Sequence, residues 1–142
     1  MTIDADGDAR RSAPAALRNR DLIASELVRI APRTGRALEI ASGSGEHLVR
    51  FAADMPGLTW HPTDPDPGQR ASIAAWIAAE GIANAEPPRD LDVSRPGWAD
   101  DERAADLVVL VNLLHLISGA GARAALDGIA TVLAPGGIAA IY

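Results

Sequence analysis

Cysteine and lysine are both missing from this chain of 142 residues. Without cysteine it can form no disulfide, no thiolate zinc site and no cysteine nucleophile. Without lysine it lacks the phosphate-binding lysine of a P-loop and the amine that forms a pyridoxal Schiff base. The three histidines are dispersed and show no metal-ligand spacing, so the sequence predicts no metal site.

Long apolar runs are also missing, and no signal-peptide pattern opens the chain. Thirteen basic residues, all arginine, stand against 19 acidic ones, and the net charge of −6 disfavours binding to nucleic acid backbones. The apolar content of 48% is that of a globular protein. We therefore expect a single-domain, soluble, cytoplasmic protein that acts on a small molecule and binds neither nucleic acid nor membrane.

Hydrophobic periodicity divides the chain into alternating strands and helices. Residues 1–17 show no periodicity and are predicted to form a mobile tail before a single domain at residues 18–142. Helices are predicted at residues 19–31, 46–55, about 73–80 and about 126–133, and strands at residues 36–40, 58–63, 89–91, 106–111 and 138–142. This alternation predicts an α/β fold, a Rossmann-like doubly wound sheet of about five parallel strands.

The first predicted strand runs directly into a glycine-rich turn, Leu-Glu-Ile-Ala-Ser-Gly-Ser-Gly-Glu-His at residues 38–47. Gly43 and Gly45 allow a tight turn and let a ligand approach the backbone closely. The turn also exposes the first N–H groups of the next helix, as in nucleotide-binding folds. His47 begins that helix, and it either lines the ligand pocket or is an exposed helix residue.

The identity of the ligand is indicated by the residues around the two glycines. A dinucleotide fingerprint has a third glycine where Leu48 stands, which disfavours an NAD(P)-dependent oxidoreductase. Glu39 and Glu46 flank the loop, and we expect them to repel a pyrophosphate and to attract a cationic ligand. S-adenosyl-L-methionine, with its sulfonium and ammonium groups, is such a ligand. An unrelated strand–turn–helix with a glycine-rich turn is the simpler alternative.

Ligands of such sheets bind beyond the carboxyl ends of the strands, where the strand order reverses. Asp64, after the second strand, suits both ribose hydroxyls, although Asp is also common in surface turns. Asp92, after the third strand, is placed to accept from an adenine amino group, and Trp98 is the tryptophan most suited to shield that ring. Asn112 either holds a polar ligand group or caps the following turn. His115 is a candidate general base or a residue of the pocket wall.

Motifs in one order along residues 18–142 carry a family resemblance. Besides the glycine-rich turn they are Arg-Asn at 18–19, Trp-His-Pro-Thr-Asp at 60–64, Leu-Asp-Val at 91–93, Asn-Leu-Leu-His at 112–115 and Pro-Gly-Gly at 135–137. The chain resembles class I S-adenosyl-L-methionine-dependent methyltransferases of the methyltransferase-like 26 family, the domain-of-unknown-function 938 type. The resemblance implies a methyltransferase whose acceptor is unsettled. It implies catalytic roles for His115 and Asn112, and cofactor contacts from Glu39, Ala41, Ser42, Gly43, Gly45, His47, Asp64, Asp92, Val93 and Asn112.

The chain departs from that family's pattern in three places. Ser44 stands where the family has Thr, and Leu-Ile-Ser-Gly at residues 116–119 replaces Ile-Ser-Pro-Trp. Relatives also continue beyond the position of Tyr142 with a further helix and antiparallel strands. We therefore expect the last strand to be an open edge through which the chain forms a homodimer or loses solubility. A non-catalytic module that binds the cofactor or a partner remains the alternative to an active enzyme.

Overall fold

Four helices and four strands make up the regular structure of residues 7–142, the part of the chain that this computed structural model describes. In chain order they are α1 (Pro14–Ile30), β1 (Gly35–Ile40), α2 (Glu46–Asp54), β2 (Leu58–Pro62), α3 (Pro67–Ala79), β3 (Ala105–Leu110), α4 (Gly119–Val132) and β4 (Leu133–Ile141). A short 3-10 turn, Leu114–Leu116, lies between β3 and α4.

The strands form one parallel sheet with the order β2-β1-β3-β4. The two central strands, β1 and β3, lie side by side, and Ile40 at the end of β1 is opposite Leu110 at the end of β3. The chain leaves β1 toward one edge of the sheet and β3 toward the other, so the strand order reverses between them. This is the predicted Rossmann-like, doubly wound arrangement, and it locates a ligand crevice beyond these two strand ends.

Each face of the sheet carries its own hydrophobic cluster because side chains of a strand alternate between the two faces. Trp60 and Phe51 lie at the centre of one cluster, where α1, α2 and α3 cover the sheet. Leu38 and Val108 belong to the other cluster, which α4 covers through Ile129. A fully buried apolar side chain of this size contributes roughly 1.5–3 kcal/mol, so both faces stabilise the fold.

The short strand predicted at residues 89–91 is absent from the described sheet, which has four strands rather than about five. Two isolated parallel bridges, Trp60 with Ala85 and Thr63 with Arg89, connect this segment to β2 and to the residue after it. Two consecutive prolines, at residues 87–88, lie between these two bridges, and proline has no N–H to donate to a ladder. The segment therefore runs beside β2 without forming a strand.

Four predicted boundaries also need correction. Helix α3 begins at Pro67 instead of about residue 73, because the Asp66 side chain caps it by accepting from the Gly68 N–H. Helix α1 begins at Pro14 instead of residue 19, since proline is favoured in the first helical turn. Residues 14–17 of the predicted tail are therefore helical, and residues 1–6 lie outside the described part of the chain. Helix α4 begins earlier than predicted, at Gly119, with Ser118 as its N-cap. Strand β4 begins at Leu133 instead of residue 138, so the Pro-Gly-Gly motif at residues 135–137 lies within it, beside a shift in its register with β3.

Strand β4 forms one edge of the described sheet. The Tyr142 N–H donates to the Leu110 carbonyl, and the Asn112 N–H donates to the Tyr142 carbonyl, so its pairing with β3 continues to the last residue. Pairing of the free edge with a second copy stays a prediction. Within residues 7–142, no helix is both long and apolar enough to span a bilayer.

Candidate functional site

Two residues just beyond the carboxyl ends of the central strands have left-handed backbone dihedral angles. Ala41, one residue after β1, has φ 52°, and Asn112, two residues after β3, has φ 56°. They are the non-glycine residues with positive φ in residues 7–142. Such a conformation costs on the order of 1–3 kcal/mol and clusters at binding and catalytic sites. The two strained positions face the crevice that the topology predicts.

The glycine loop comprises residues 41–45, and its two glycines, Gly43 and Gly45, are needed for different steric reasons. Gly43 has φ 63°, and a Cβ built on it would lie 4.0 Å from the nearest atom within reach, the Ala41 carbonyl oxygen. Gly45 has φ 99°, and a Cβ there would approach the Ile73 Cα to 2.9 Å. Gly45 is thus required for the packing of α2 against α3. Gly43 instead leaves open space above the backbone, where a ligand can approach.

Asp64 and Gly43, both predicted cofactor contacts, are brought together. The Asp64 Oδ2 accepts a hydrogen bond from the Gly43 N–H at 3.0 Å, and its Oδ1 accepts one from the Asp66 N–H at 2.9 Å. Burial raises the pKa of Asp64, and these backbone donors oppose that shift. Because each carboxylate oxygen has two lone-pair sites, the side chain retains capacity for two further hydroxyl donors. Asp64 therefore lies in the glycine loop's own hydrogen-bond network, unlike an Asp of a surface turn.

Glu39 lies inside the protein, with 3% of its surface exposed. Burial raises its pKa to about 8, the nearby Ser42 hydroxyl lowers it, and the charge of Asp64 raises it further. The carboxyl is therefore predominantly protonated at neutral pH. The expectation that its negative charge repels a pyrophosphate is wrong for this state. Its Oε1 is buried without a hydrogen-bond partner among the described residues, and an arriving cation would favour ionisation.

Glu46 is fully buried and does not border the loop as an open charge. Its Oε1 accepts hydrogen bonds from the Ala13 N–H at 2.6 Å and from the Ser44 hydroxyl at 3.0 Å. This corrects the expectation that Glu46, like Glu39, repels an anionic ligand from the rim of the loop. Its Oε1 holds two parts of the same chain together.

His47 lies beneath the loop on α2 and is only 8% exposed, so the alternative of an exposed helix residue is wrong. Its ring packs against Phe51, with the two centroids 5.5 Å apart. Burial lowers the pKa of His47, which favours the neutral imidazole. Its Nδ1 is buried without a partner in residues 7–142. Lining of a ligand pocket by His47 stays a prediction.

The residues expected around an adenine ring are engaged in local contacts. The Asp92 Oδ1 accepts from the N–H and the hydroxyl of Ser94, and its Oδ2 lies 3.3 Å from the Arg95 Nε. Val93 is buried in the cluster beneath α4. Trp98 donates its indole N–H to the Ala124 carbonyl at 3.0 Å, so it is fixed on α4. Asp92 and Trp98 both line an open cavity of about 520 Å³, and a role of either in adenine binding stays a prediction.

Asn112 and His115 follow β3 and so lie at the same end of the sheet as the glycine loop. The left-handed backbone of Asn112 turns the chain into the 3-10 turn that contains His115. The His115 side chain is exposed, and no hydrogen bond from the described residues orients its ring. Its role as a base stays a prediction. In the same range, no three His, Asp or Glu side chains are grouped to hold a metal ion.

Sequence reasoning missed one part of the site, the segment at residues 10–13. The Arg11 N–H donates to the Ser72 hydroxyl oxygen at 2.7 Å, and the Arg11 carbonyl accepts from the Trp76 indole at 3.0 Å. Ser72 is fully buried and donates to the Ser44 carbonyl at 2.6 Å. The segment lacks hydrophobic periodicity, and its main-chain contacts leave no pattern in the side chains.

The chain is similar to known proteins in both sequence and fold. The family described as "Protein of unknown function (DUF938)" matches residues 10–142. An O-methyltransferase family protein from Burkholderia thailandensis superposes with a TM-score of 0.75 at 23% identity, over 89% of this chain and 37% of that one. PKMT2 from Rickettsia typhi, in complex with AdoHcy, gives a TM-score of 0.67 at 23% identity, over 89% and 24%.

A third structure, the precorrin-6y C5,15-methyltransferase from Geobacter metallireducens, gives a TM-score of 0.70 at 17% identity, over 96% of this chain and 69% of that one. The three proteins share the α/β Rossmann-like methyltransferase fold with this chain. The chain spans 37% and 24% of the length of the first two. The names of the Burkholderia and Geobacter proteins give different methyl acceptors on one kind of fold.

Proposed function

Because the chain belongs to the DUF938 family, we propose that it binds S-adenosyl-L-methionine and transfers the methyl group to a small-molecule acceptor. Within that family we propose kinship with the methyltransferase-like 26 proteins, on the motifs at residues 38–47 and 60–64. The observation that carries the proposal is the juxtaposition of Gly43, with open space above its backbone, and the buried carboxylate of Asp64. Similar folds hold AdoHcy, as the Rickettsia typhi structure does.

The residues at the strand ends fit the polar groups of this cofactor. Asp64 has acceptor capacity for two ribose hydroxyls, and the unpartnered Oε1 of Glu39 suits a cationic group such as the methionyl ammonium. Ala41 and Ser42 lie in the loop that borders the same crevice, and the Ser42 N–H donates to the carbonyl of Thr63, the residue after β2, at 2.8 Å. A buried polar atom without a partner needs an explanation, and a polar ligand supplies one.

The cofactor supplies an electrophilic methyl group on a sulfonium when it is bound. The work of the protein is then to align the acceptor with that group and to exclude water, which is mainly a positioning problem. Asn112, held in a left-handed conformation beside the loop, is suited to fix a polar group of cofactor or acceptor. His115 is proposed to take a proton from an acceptor that arrives protonated.

A non-catalytic module that binds the cofactor is the second candidate function. One observation favours it: no described side chain forms a hydrogen bond that orients the ring of His115. An NAD(P)-dependent oxidoreductase is disfavoured by Leu48. This residue occupies the position of the third fingerprint glycine and is fully buried in the core.

Isothermal titration of the protein with S-adenosylhomocysteine and, separately, with NAD tests the proposal. We expect saturable binding of S-adenosylhomocysteine and no heat with NAD. The reverse pattern, or no heat with either ligand, would contradict it. Turnover is then tested with methyl-labelled S-adenosyl-L-methionine and a panel of hydroxyl, amine and acid acceptors. Binding without label transfer to any of them would favour the non-catalytic module.

A further inference from the structure

The segment at residues 10–13, named here the N-terminal segment, lies across the start of α2 and the side of α3. Its main chain makes three hydrogen bonds to these helices, at Ser72, Trp76 and Glu46. The Arg11 guanidinium also packs over Gly68, where a Cβ would come within 2.3 Å of Arg11 Nη2, and it hydrogen-bonds the Gln69 side chain at 3.3 Å. The segment is therefore fixed by backbone contacts that are far apart in sequence.

Two fully buried side chains connect this segment to one residue of the glycine loop. Ser72 accepts from the Arg11 N–H and donates to the Ser44 carbonyl. Glu46 accepts from both the Ala13 N–H and the Ser44 hydroxyl. Ser44 is thus held at its main chain and at its side chain, in each case through a group that also holds the N-terminal segment.

Ser44 is the residue at which such a tether has the greatest effect on the loop. It stands between Gly43 and Gly45, which both have positive φ. Glycine has the greatest backbone freedom of any residue, so the loop is most flexible at these two positions unless other contacts restrain it. Fixing Ser44 restricts the backbone dihedrals on both sides of it. The loop then presents Gly43 to Asp64 in one conformation before any ligand arrives, which reduces the entropy that binding costs.

We propose that Glu46 and Ser72 are positioning residues that couple the N-terminal segment to the glycine loop and thereby set its affinity for the cofactor. The identity of the ligand in this inference rests on the proposed function. The structural half of the inference, the ordering of the glycine loop by Glu46 and Ser72, does not depend on that function. Glu46 therefore acts through its hydrogen bonds to Ala13 and Ser44, and its charge is not what recognises a cationic ligand.

Paired variants of Glu46 separate these roles in the full-length chain. E46Q keeps a side-chain oxygen that can accept from Ala13 and Ser44 but carries no charge, whereas E46M has a similar length and no comparable acceptor. S72A is the second test and removes the other bridge without enlarging the side chain. R29A removes an exposed ion pair with Glu26 elsewhere on α1 and is the matched control.

Hydrogen exchange read by mass spectrometry or NMR on the ligand-free proteins is the first measurement. E46M and S72A are expected to speed exchange at Gly43 and Gly45, whose N–H groups bond to neither substituted residue. E46Q and R29A are expected to match the unsubstituted protein. Unchanged exchange at both glycines in E46M and S72A would overturn the inference, whether or not any ligand binds. If E46M does not fold, the exchange measured in S72A is sufficient to test the inference.

Titration with S-adenosylhomocysteine is the second measurement. The dissociation constant is expected to rise about tenfold or more in E46M and S72A and to change less than about threefold in E46Q. A loss of affinity in E46Q as large as that in E46M would overturn the inference, because it would show that the charge itself contacts the ligand. Absence of binding by the unsubstituted protein would contradict the proposed function, and the exchange data would still decide the structural half.

Discussion

The Asp64 carboxylate accepts a hydrogen bond from the Gly43 N–H at 3.0 Å, which joins the residues that follow β2 and β1. The same junction is closed by the Ser42 N–H, which donates to the Thr63 carbonyl, and by the Thr63 N–H, which donates to the Glu39 carbonyl. The glycine loop and the end of β2 therefore form one hydrogen-bonded unit. A site that is organised in this way before binding reorganises little when a ligand arrives.

Alanine at the two loop glycines should separate ligand binding from folding. G43A places an alanine at φ 63° with open space around its Cβ, so we expect a loss of about 1–2 kcal/mol of unfolding free energy. Binding of S-adenosylhomocysteine should be abolished, because the methyl group enters the space that we assign to the ligand. Urea unfolding and titration calorimetry measure the two effects.

G45A is the matched control for that experiment. Its Cβ would meet the Ile73 backbone, and its φ of 99° is unfavourable for alanine, so we expect a cost of about 3 kcal/mol or more. The stability order is therefore unsubstituted, then G43A, then G45A. Full ligand affinity in G43A would contradict the assignment of the open space to the cofactor.

Substitution of Asp64 should weaken cofactor binding to a degree that depends on how many acceptor oxygens the new side chain keeps. D64N keeps one oxygen acceptor, and D64A keeps none. Since hydrogen bonds to a charged group contribute about 1.5–3 kcal/mol, we expect D64A to raise the dissociation constant of S-adenosylhomocysteine by about tenfold or more. D64N should lie between D64A and the unsubstituted protein. Equal affinities for all three in calorimetry would show that Asp64 serves only the loop.

The buried Glu39 carboxyl should make stability depend on pH. Its pKa is about 8 in the folded protein, against 4.5 for an exposed glutamate. Between these pH values the folded state binds more protons than the unfolded state. The contribution of Glu39 to the free energy of unfolding is therefore full below pH 4.5 and is lost as the pH rises toward 8. The loss is on the order of a few kcal/mol. Urea unfolding at several pH values measures it.

E39Q, which cannot ionise, is the control variant for that profile. It should lack the decrease in unfolding free energy across this pH range and should be more stable than the unsubstituted protein at alkaline pH. If Glu39 faces the cationic group of the cofactor, binding at pH 7 should also release up to about one proton, because the ligand favours the ionised carboxyl. Identical pH profiles for both proteins would show that Glu39 does not titrate in this range.

The open edge of β4 should pair with a second copy of the chain. Ile141 and Tyr142 are exposed at this edge, beside a groove of about 430 Å³ lined by α1 and by the last residues of the sheet. We expect a concentration-dependent dimer in light scattering. I141K should shift it toward monomer, because lysine on an edge strand opposes pairing. A monomer at all accessible concentrations would contradict this prediction.

The central strands and the loop between β1 and α2 were predictable because local residue patterns determine them. The apolar run that forms β3 marks a strand buried on both faces, and Gly43 and Gly45 mark the turn after β1. The segment at residues 89–91 was less predictable, because it is short, two of its three residues are charged, and the two prolines before it cannot donate to a strand ladder.

The contacts of Glu46 and the protonation of Glu39 could not be predicted from sequence. Ala13 and Glu46 are 33 residues apart, and the hydrogen bond between them depends on where the N-terminal segment packs. The pKa of Glu39 likewise depends on its burial, which is a property of the finished fold. The sequence argument from two negative charges therefore missed the raised pKa of Glu39 and the hydrogen bonds that Glu46 accepts from Ala13 and Ser44.

The two hydrophobic clusters lie on opposite faces of one sheet, with the glycine loop, His47 and Glu46 all on the side of α2. Phe51 belongs to one cluster and Ile129 to the other, and the sheet lies between them. Destabilising substitutions on opposite faces should therefore be nearly additive. Protein engineers can then repack the α4 side to gain stability while the residues that border the loop stay unaltered.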